Sequence, residues 1–193
     1  MAATEDTEIE AVKLVTPRRF GDDRGWFSES YRDDWNLLET GTFRQDNHAY
    51  SQARLTVRGL HFQTGPSVQA KLLRCVAGEI LDVALDIRRG SPTYGRHVAR
   101  TLTARGGEQL FVPHGFAHAY ATLTEDAQVL YKVDNLYDRA REGAVRWNDP
   151  ALGIDWPQGD AQLSEKDLEA PLLQDLDSPF VYDEAAPYNC RCL

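Results

Sequence analysis

Apolar and polar residues alternate along most of the chain, in short runs broken by glycine and proline. Residues 11–15 (Ala-Val-Lys-Leu-Val) form one such run, closed by Pro17. In Arg58-Gly-Leu-His-Phe-Gln63, Leu60 and Phe62 alternate with His61 and Gln63. A strand there sends the apolar pair one way and the polar pair the other. Gly65-Pro66 ends it, and Lys71 begins a second strand over 71–76. Ala77-Gly78-Glu79 then turns the chain into 80–87, where Leu81, Val83, Leu85 and Ile87 share one face and Asp82 and Asp86 the other. Further strands are predicted at 97–102, 108–112, 119–123, 128–133 and 142–147, with 113–118 a tight connection. In the run at 128–133, Val129, Tyr131 and Val133 point together. Residues 43–51 form a strand unusually dense in hydrogen-bonding side chains. Helix signals are few: a short helix over 33–39 with Gly41 as its C-cap, and one opened by Ser164 and cut short by Pro171. Strands at intervals of roughly ten residues, with turn residues between them, mean an all-β sandwich or barrel. One domain over residues 1–193 is expected, with 1–10 mobile and 158–193 a C-terminal extension holding the short helix.

Composition narrows the function classes. Hydrophobic residues at 42% and charged residues at 26% are those of a globular chain and exclude a disordered one. No apolar run approaches the roughly 20 residues of a membrane span. The acidic residues 1–10 contain no hydrophobic stretch, so no signal peptide is expected and a cytoplasmic location follows. The net charge of −9 argues against nucleic acid as a partner. An anionic small ligand requires basic residues clustered against that background, and Arg24, Arg58 and Lys71 are the candidates. Three cysteines make no disulfide framework. Cys75 reads as a buried small hydrophobe, and Cys190 and Cys192 as free tail thiols.

Gly107-x5-Pro113-x-Gly115-x2-His118 matches the second sequence motif of the cupins, which are jelly-roll barrels. The first cupin motif supplies a His-x-His pair, but here the corresponding place reads His61-Phe62-Gln63. A catalytic metal wants about three protein ligands, and only His61 and His118 are on hand, so no metal site is expected. Histidine, lysine and tyrosine in a metal-free barrel suit proton transfer beside a carbonyl: a base removes a carbon-bound proton, a cation holds the enolate, and an acid returns the proton.

At this point the chain resembles the dTDP-4-dehydrorhamnose 3,5-epimerases. The matching pieces are Phe20-x2-Asp23-Arg-Gly-x-Phe27-x-Glu29, Gln45-x-Asn47-His48, Arg58-Gly-Leu-His-Phe-Gln63 and Gln69-Ala-Lys71. They continue through Asp86-x-Arg88-x-Gly-Ser-Pro92-x3-Gly95, Pro113-x-Gly-Phe-Ala-His118, Tyr131-Lys132, Arg146-Trp-Asn-Asp-Pro150 and Leu163-Ser-x-Lys-Asp167. The resemblance implies a cupin-type jelly roll that epimerises dTDP-4-dehydro-6-deoxy-D-glucose at C3 and C5, without a cofactor. By this likeness His61 is the base, Asp167 orients it, Lys71 holds the enolate charge and Tyr131 is the acid on the opposite face. Arg24, Glu29, Gln45, Asn47, Arg58 and His118 hold the nucleotide-sugar. Glu142 and Lys166 match further ligand contacts, and Tyr137 one near the thymine. The family's dimers exchange edge strands between subunits, so a homodimer is expected.

Each of these residues has an ordinary alternative. His61 could be a core histidine, Tyr131 a core tyrosine and Lys71 a solvated strand-start lysine. Ser164-x-x-Asp167 is a helix-capping box, which does not prevent Asp167 from also reaching a histidine. Arg58 falls on the Leu60 face by strict alternation, so it either precedes the regular strand or serves another part of the site. Ala119, Leu136 and Ala49-Tyr50 depart from the family's usual residues. They bear on nucleotide grip and leave base, acid and lysine untouched. Relatives that epimerise only C3 or only C5 remain open on sequence. Two other readings are a metal-dependent cupin oxygenase or isomerase, and a barrel that binds a nucleotide-sugar without catalysis. The intact set His61, Lys71, Tyr131 and Asp167 argues against the last.

Overall fold

The structure, a computed structural model, describes residues 2–38 and 41–185, together with the backbone of 190–192. The side chains of Cys190 and Cys192 lie outside the described residues. Two antiparallel sheets face each other. The six-stranded sheet runs in the order β1 (Ala3–Asp6), β2 (Lys13–Thr16), β10 (Gln109–Val112), β7 (Lys71–Ala77), β12 (Ala127–Val133), β5 (Gln45–Ser51). The five-stranded sheet runs β13 (Glu142–Ala144), β6 (Val57–Gln63), β11 (Phe116–Thr122), β8 (Glu79–Asp86), β9 (His97–Thr103). A separate hairpin pairs β3 (Arg19–Asp22) with β4 (Gly25–Ser28), and β14 (Phe180–Tyr182) pairs with β15 (Cys190–Cys192). This is the all-β fold the pattern implied, and the cupin-like jelly roll that the motif and the resemblance implied.

The core is built in layers because the central strands β8, β10 and β11 bury both faces. Between the sheets lie Leu73, Cys75, Leu110, Val112 and Val129 from one side and Ile80, Ala84, Val98, Leu102 and Phe116 from the other. The outer face of the five-stranded sheet carries Val83, Leu85, Leu60 and Phe62, covered by Trp156 and by Leu173 and Phe180 further on. Tyr31, Trp35 and Phe43 cover part of the six-stranded sheet, over Leu72 and Phe111.

Several expectations need correction. Residues 3–6, expected to be mobile, form β1 on the sheet edge. Of the helix expected over 33–39, residue 39 lies outside the described residues, and 33–38 hold only a 3-10 turn, Asp33–Trp35, ended where Asn36 takes the left-handed conformation at φ 52. His118 sits within β11 rather than in a connection. The aspartates of β8 do lie on the face opposite Val83 and Leu85, and that face is dry as well: Asp82 and Asp86 are both wholly buried. Asp86 is compensated by Arg88, at 2.7 Å, and by the hydroxyls of Ser91 and Thr93.

Candidate active site

Alternation aims one row of each sheet into the space between them. On the six-stranded sheet Lys71, Val133 and Gln45 stand side by side, and Leu73, Tyr131 and Asn47 form the next row. On the five-stranded sheet His61 lies opposite His118, and Arg58 opposite Tyr120. Three steps along β6 thus match two along β11, a β-bulge between Arg58 and His61. The bulge resolves the alternation problem at Arg58, which it turns onto the cavity side. The guanidinium then reaches across to β5, donating to Tyr50 O at 3.1 Å.

The rows enclose a cavity of about 490 Å³ lined by Arg58, His61, Lys71, His118, Tyr120, Tyr131 and Asp167, among others. A second space of about 230 Å³ shares His61, Lys71 and Tyr131 and adds Gln45, Asn47, Tyr137 and Glu142. His61 Nε2 is 2.5 Å from Asp167 Oδ1. Asp167 comes from α1 (Glu165–Leu168), whose first turn is fixed by Ser164 Oγ accepting from Asp167 N at 3.3 Å. The capping and histidine-orienting readings therefore hold together: the backbone is capped while the carboxylate faces the imidazole. Burial pushes the Asp167 carboxyl up, but the His61 hydrogen bond and charge, with Ser164 and Lys166, hold it below its ordinary value.

Lys71 donates to the His61 carbonyl at 3.3 Å. Burial pulls its ammonium down to about 8, against the opposing carboxylates of Asp82 and Glu142. Burial also raises the Tyr131 phenol, with Arg58 pulling the other way, so it is protonated at neutral pH. His118 Nε2 lies 2.7 Å from Asp82 Oδ1. Burial lowers the His118 imidazole despite Asp82, with the charges of Lys71 and His61 adding to the fall. At the cavity mouth Glu142 accepts from Lys166 Nζ at 2.5 Å and from the Tyr137 hydroxyl at 3.0 Å. Gln45 Nε2 donates to Asn47 Oδ1 at 2.8 Å.

Eleven of the thirteen residues singled out on sequence thus converge, if Lys166 and Tyr137 at the rim are included. Arg24 and Glu29 do not. Arg24 is exposed at the tip of the β3–β4 hairpin, paired with Asp22 at 2.5 Å, and Glu29 pairs with Arg32 at 3.1 Å. Sequence reasoning missed Asp82 and Tyr120. The only signal was an aspartate in the middle of an apolar strand, where an isolated carboxylate is costly unless partnered. Among the described residues no group of three or more His, Cys, Asp or Glu could hold a metal ion. Gln63, at the place of a second cupin ligand, accepts from Asp138 N at 2.9 Å.

A jelly-roll cavity with a carboxylate-oriented imidazole on one sheet and a protonated phenol and a depressed lysine on the other defines an enzyme that moves protons beside a carbonyl. Comparison with known proteins agrees. Residues 6–175 match the family model of dTDP-4-dehydrorhamnose 3,5-epimerase. The chain is 48% identical over 171 residues to the enzyme of that name from Salmonella typhimurium, covering 86% of this chain and 93% of that one. It superposes with TM-score 0.87 and 40% identity on a dTDP-6-deoxy-D-glucose-3,5-epimerase from Legionella pneumophila in complex with dTDP-4-keto-L-rhamnose, covering 92% and 95% of the two chains. A 3'-monoepimerase from Streptomyces bikiniensis in complex with dTDP-quinovose matches with TM-score 0.82 and 35% identity, covering 88% and 87%. The chain belongs to the dTDP-4-dehydrorhamnose 3,5-epimerase family and is an isomerase.

Proposed function

We propose that this enzyme epimerises dTDP-4-dehydro-6-deoxy-D-glucose at C3 and C5, giving dTDP-4-dehydro-L-rhamnose for dTDP-L-rhamnose synthesis. The observation that carries this reading is the placement of His61 and Tyr131 on facing sheets across one cavity, with Lys71 beside them. Inverting a carbon needs a base on one face of the ring and an acid on the other. With Asp167 ionised, the His61 proton sits on Nε2 and Nδ1 is the basic nitrogen. It takes the proton from C3 or C5, each acidified by the C4 ketone. The C–H electron pair moves into the ring to form an enolate, whose oxygen the Lys71 ammonium stabilises. Tyr131 delivers a proton to the opposite face, and exchange with solvent restores both groups. Arg58, His118, Gln45, Asn47, Glu142 and Lys166 hold the sugar and pyrophosphate, and Tyr137 lies against the thymine.

Arg24 and Glu29 belong to the same proposal through a homodimer. Their hairpin exposes Phe20, Trp26 and Phe27, each 48% or more accessible, which is unusual for a free surface element. We assign this arm to the active site of a second copy. Light scattering should give a dimer, and Trp26→Asp with Phe27→Asp should yield monomers with weakened substrate binding. A monomeric parent chain would refute the assignment. Among the described residues no helix is long and apolar enough to cross a membrane. A cytoplasmic location accompanies the nucleotide-sugar substrate.

The deciding experiment is turnover of dTDP-4-dehydro-6-deoxyglucose in D2O, read at C3 and C5 by NMR. Deuterium at both carbons is expected. The likeness to a 3'-monoepimerase supports a second reading, in which deuterium enters at one carbon only. No exchange at either would overturn both.

A further inference from the structure

Residues 134–138 lead from β12 towards β13 beside the smaller cavity, which Tyr137 lines, and hydrogen bonds hold them along their length. Asp134 accepts from Ala70 N at 2.8 Å and bonds His114 Nε2 at 2.7 Å. Gln69 Nε2 donates to Asn135 O at 2.8 Å. The two consecutive amides at the far end are each taken by a glutamine: Tyr137 N donates to Gln45 Oε1 at 3.1 Å and Asp138 N to Gln63 Oε1 at 2.9 Å. Those glutamines stand on different sheets, β5 and β6. The loop is therefore anchored to both walls of the barrel at the point where the Tyr137 ring projects.

Gln63 differs from the other anchors in where it comes from. It lies two residues after His61 on the same face of the same strand, and it is 4% exposed. A buried carboxamide is retained where its bond matters, because an unpaired backbone N–H is costly. From Tyr137 the contacts return to the base: its hydroxyl donates to Glu142, Glu142 accepts from Lys166, and the adjacent Asp167 bonds His61. Loop and base are joined at both ends, by Gln63 on one side and by Glu142 on the other.

We propose that Gln63 is a positioning residue that fixes the Tyr137 loop to the strand of the catalytic base, setting nucleotide affinity rather than the rate of proton transfer. The proposal rests on the assigned epimerase function. A cupin would present a metal ligand at this place, and here the carboxamide holds backbone instead. Loss of the acceptor frees residues 137–138 while His61, held by Asp167, stays in place. Binding then bears the ordering cost of the loop.

Gln63→Met keeps length and removes the acceptor, whereas Gln63→Glu keeps an acceptor. The first should raise KM for the nucleotide-sugar, and Kd for dTDP alone, about tenfold, with kcat within about threefold of the parent. Gln63→Glu should restore most of the affinity. An unchanged KM in Gln63→Met, a fall in kcat at constant KM, or a Gln63→Glu variant as weak as Gln63→Met would each overturn the proposal. Hydrogen exchange of the parent protein tests it without substitution. The Tyr137 and Asp138 amides should be protected although Tyr137 is exposed, and rapid exchange there would sink the idea. Failure of the parent to turn over the sugar would instead count against the assigned reaction.

Discussion

Two histidine–carboxylate pairs lie side by side in this barrel, and they differ in exposure and in how the carboxylate is supplied. His61 and Asp167 are 2.5 Å apart, His118 and Asp82 2.7 Å, and the two histidines face each other on neighbouring strands. The imidazole of His61 keeps 25% of its side-chain surface accessible, against 6% for His118. The carboxylates differ as well: Asp167 is brought in by a four-residue helix at the rim, and Asp82 stands in mid-strand with no solvent access. A base must meet its substrate, so the half-open pair suits proton abstraction. The closed pair, its imidazole kept neutral by burial, suits a fixed hydrogen-bonding wall. The same pairing serves two purposes, and burial separates them.

Substitution should separate them too, and the largest effect belongs to the open pair. His61→Ala should lower kcat about a thousandfold and abolish deuterium uptake at both carbons. Asp167→Asn, which leaves the imidazole present but unoriented, should cost about a hundredfold. Neither should move the melting temperature by more than a few degrees, because Asp167, although buried, keeps Ser164 and the charge of Lys166 beside it. The closed pair should behave in the opposite manner. His118→Ala leaves Asp82 buried without its partner, and Asp82 Oδ2 already lacks one. A loss of about 3 kcal/mol in stability is expected, a fall in melting temperature of roughly 10 °C. If calorimetry found His61→Ala the more destabilised of the two, the division of labour would be wrong.

Lys71 sharpens the comparison because it lies near both pairs. Its ammonium sits at about 8 in the folded chain, against an ordinary lysine value of 10.5. The enolate needs the charged form, so kcat should fall as pH rises through about 8. The sign for stability is the reverse. Folding disfavours the charged form, so the penalty is full below about pH 8 and disappears as pH approaches 10.5, where the unfolded lysine also loses its proton. Lys71→Met should therefore abolish turnover yet raise stability near pH 7 by about 2 kcal/mol. Chemical denaturation at pH 7 and pH 10 checks both: the gain should shrink at the higher pH. Equal gains at the two pH values would mean that burial of charge is not what Lys71 costs.

Much of this was legible in the sequence, for identifiable reasons. Alternation located β6, β7, β8 and β12 to within two residues, since strands in a layered sandwich must keep an apolar face inward. His61, Lys71, Tyr131 and Asp167 followed from the motifs and do converge on one cavity. Period-two reasoning failed where the backbone departed from it. Arg58 reaches the cavity only through the bulge before His61, whose one trace in the sequence is Gly59, a glycine at φ 129 inside the strand. Asp82 escaped because alternation predicts faces, not which face is wet, and both faces of β8 are dry. Arg24 and Glu29 were grouped with the site by resemblance, while within one chain their hairpin stands apart.

The smallest expected effect tests how the open pair is held. Ser164 caps α1 by accepting from Asp167 N, and the helix it starts is only four residues long. A helix that short has little cohesion of its own, so the cap supplies much of what keeps the Asp167 backbone in place. Ser164→Ala should cost about 1 kcal/mol and lower kcat two- to threefold, with KM almost unchanged. Ser164→Asp, which also caps, should restore kcat if the cap is the cause. The mid-strand pair has no counterpart to this weakness, because Asp82 is fixed by strand pairing on both sides. A base oriented from a rim helix can be detuned by one exposed hydroxyl, whereas the closed pair can be altered only by changing the barrel itself.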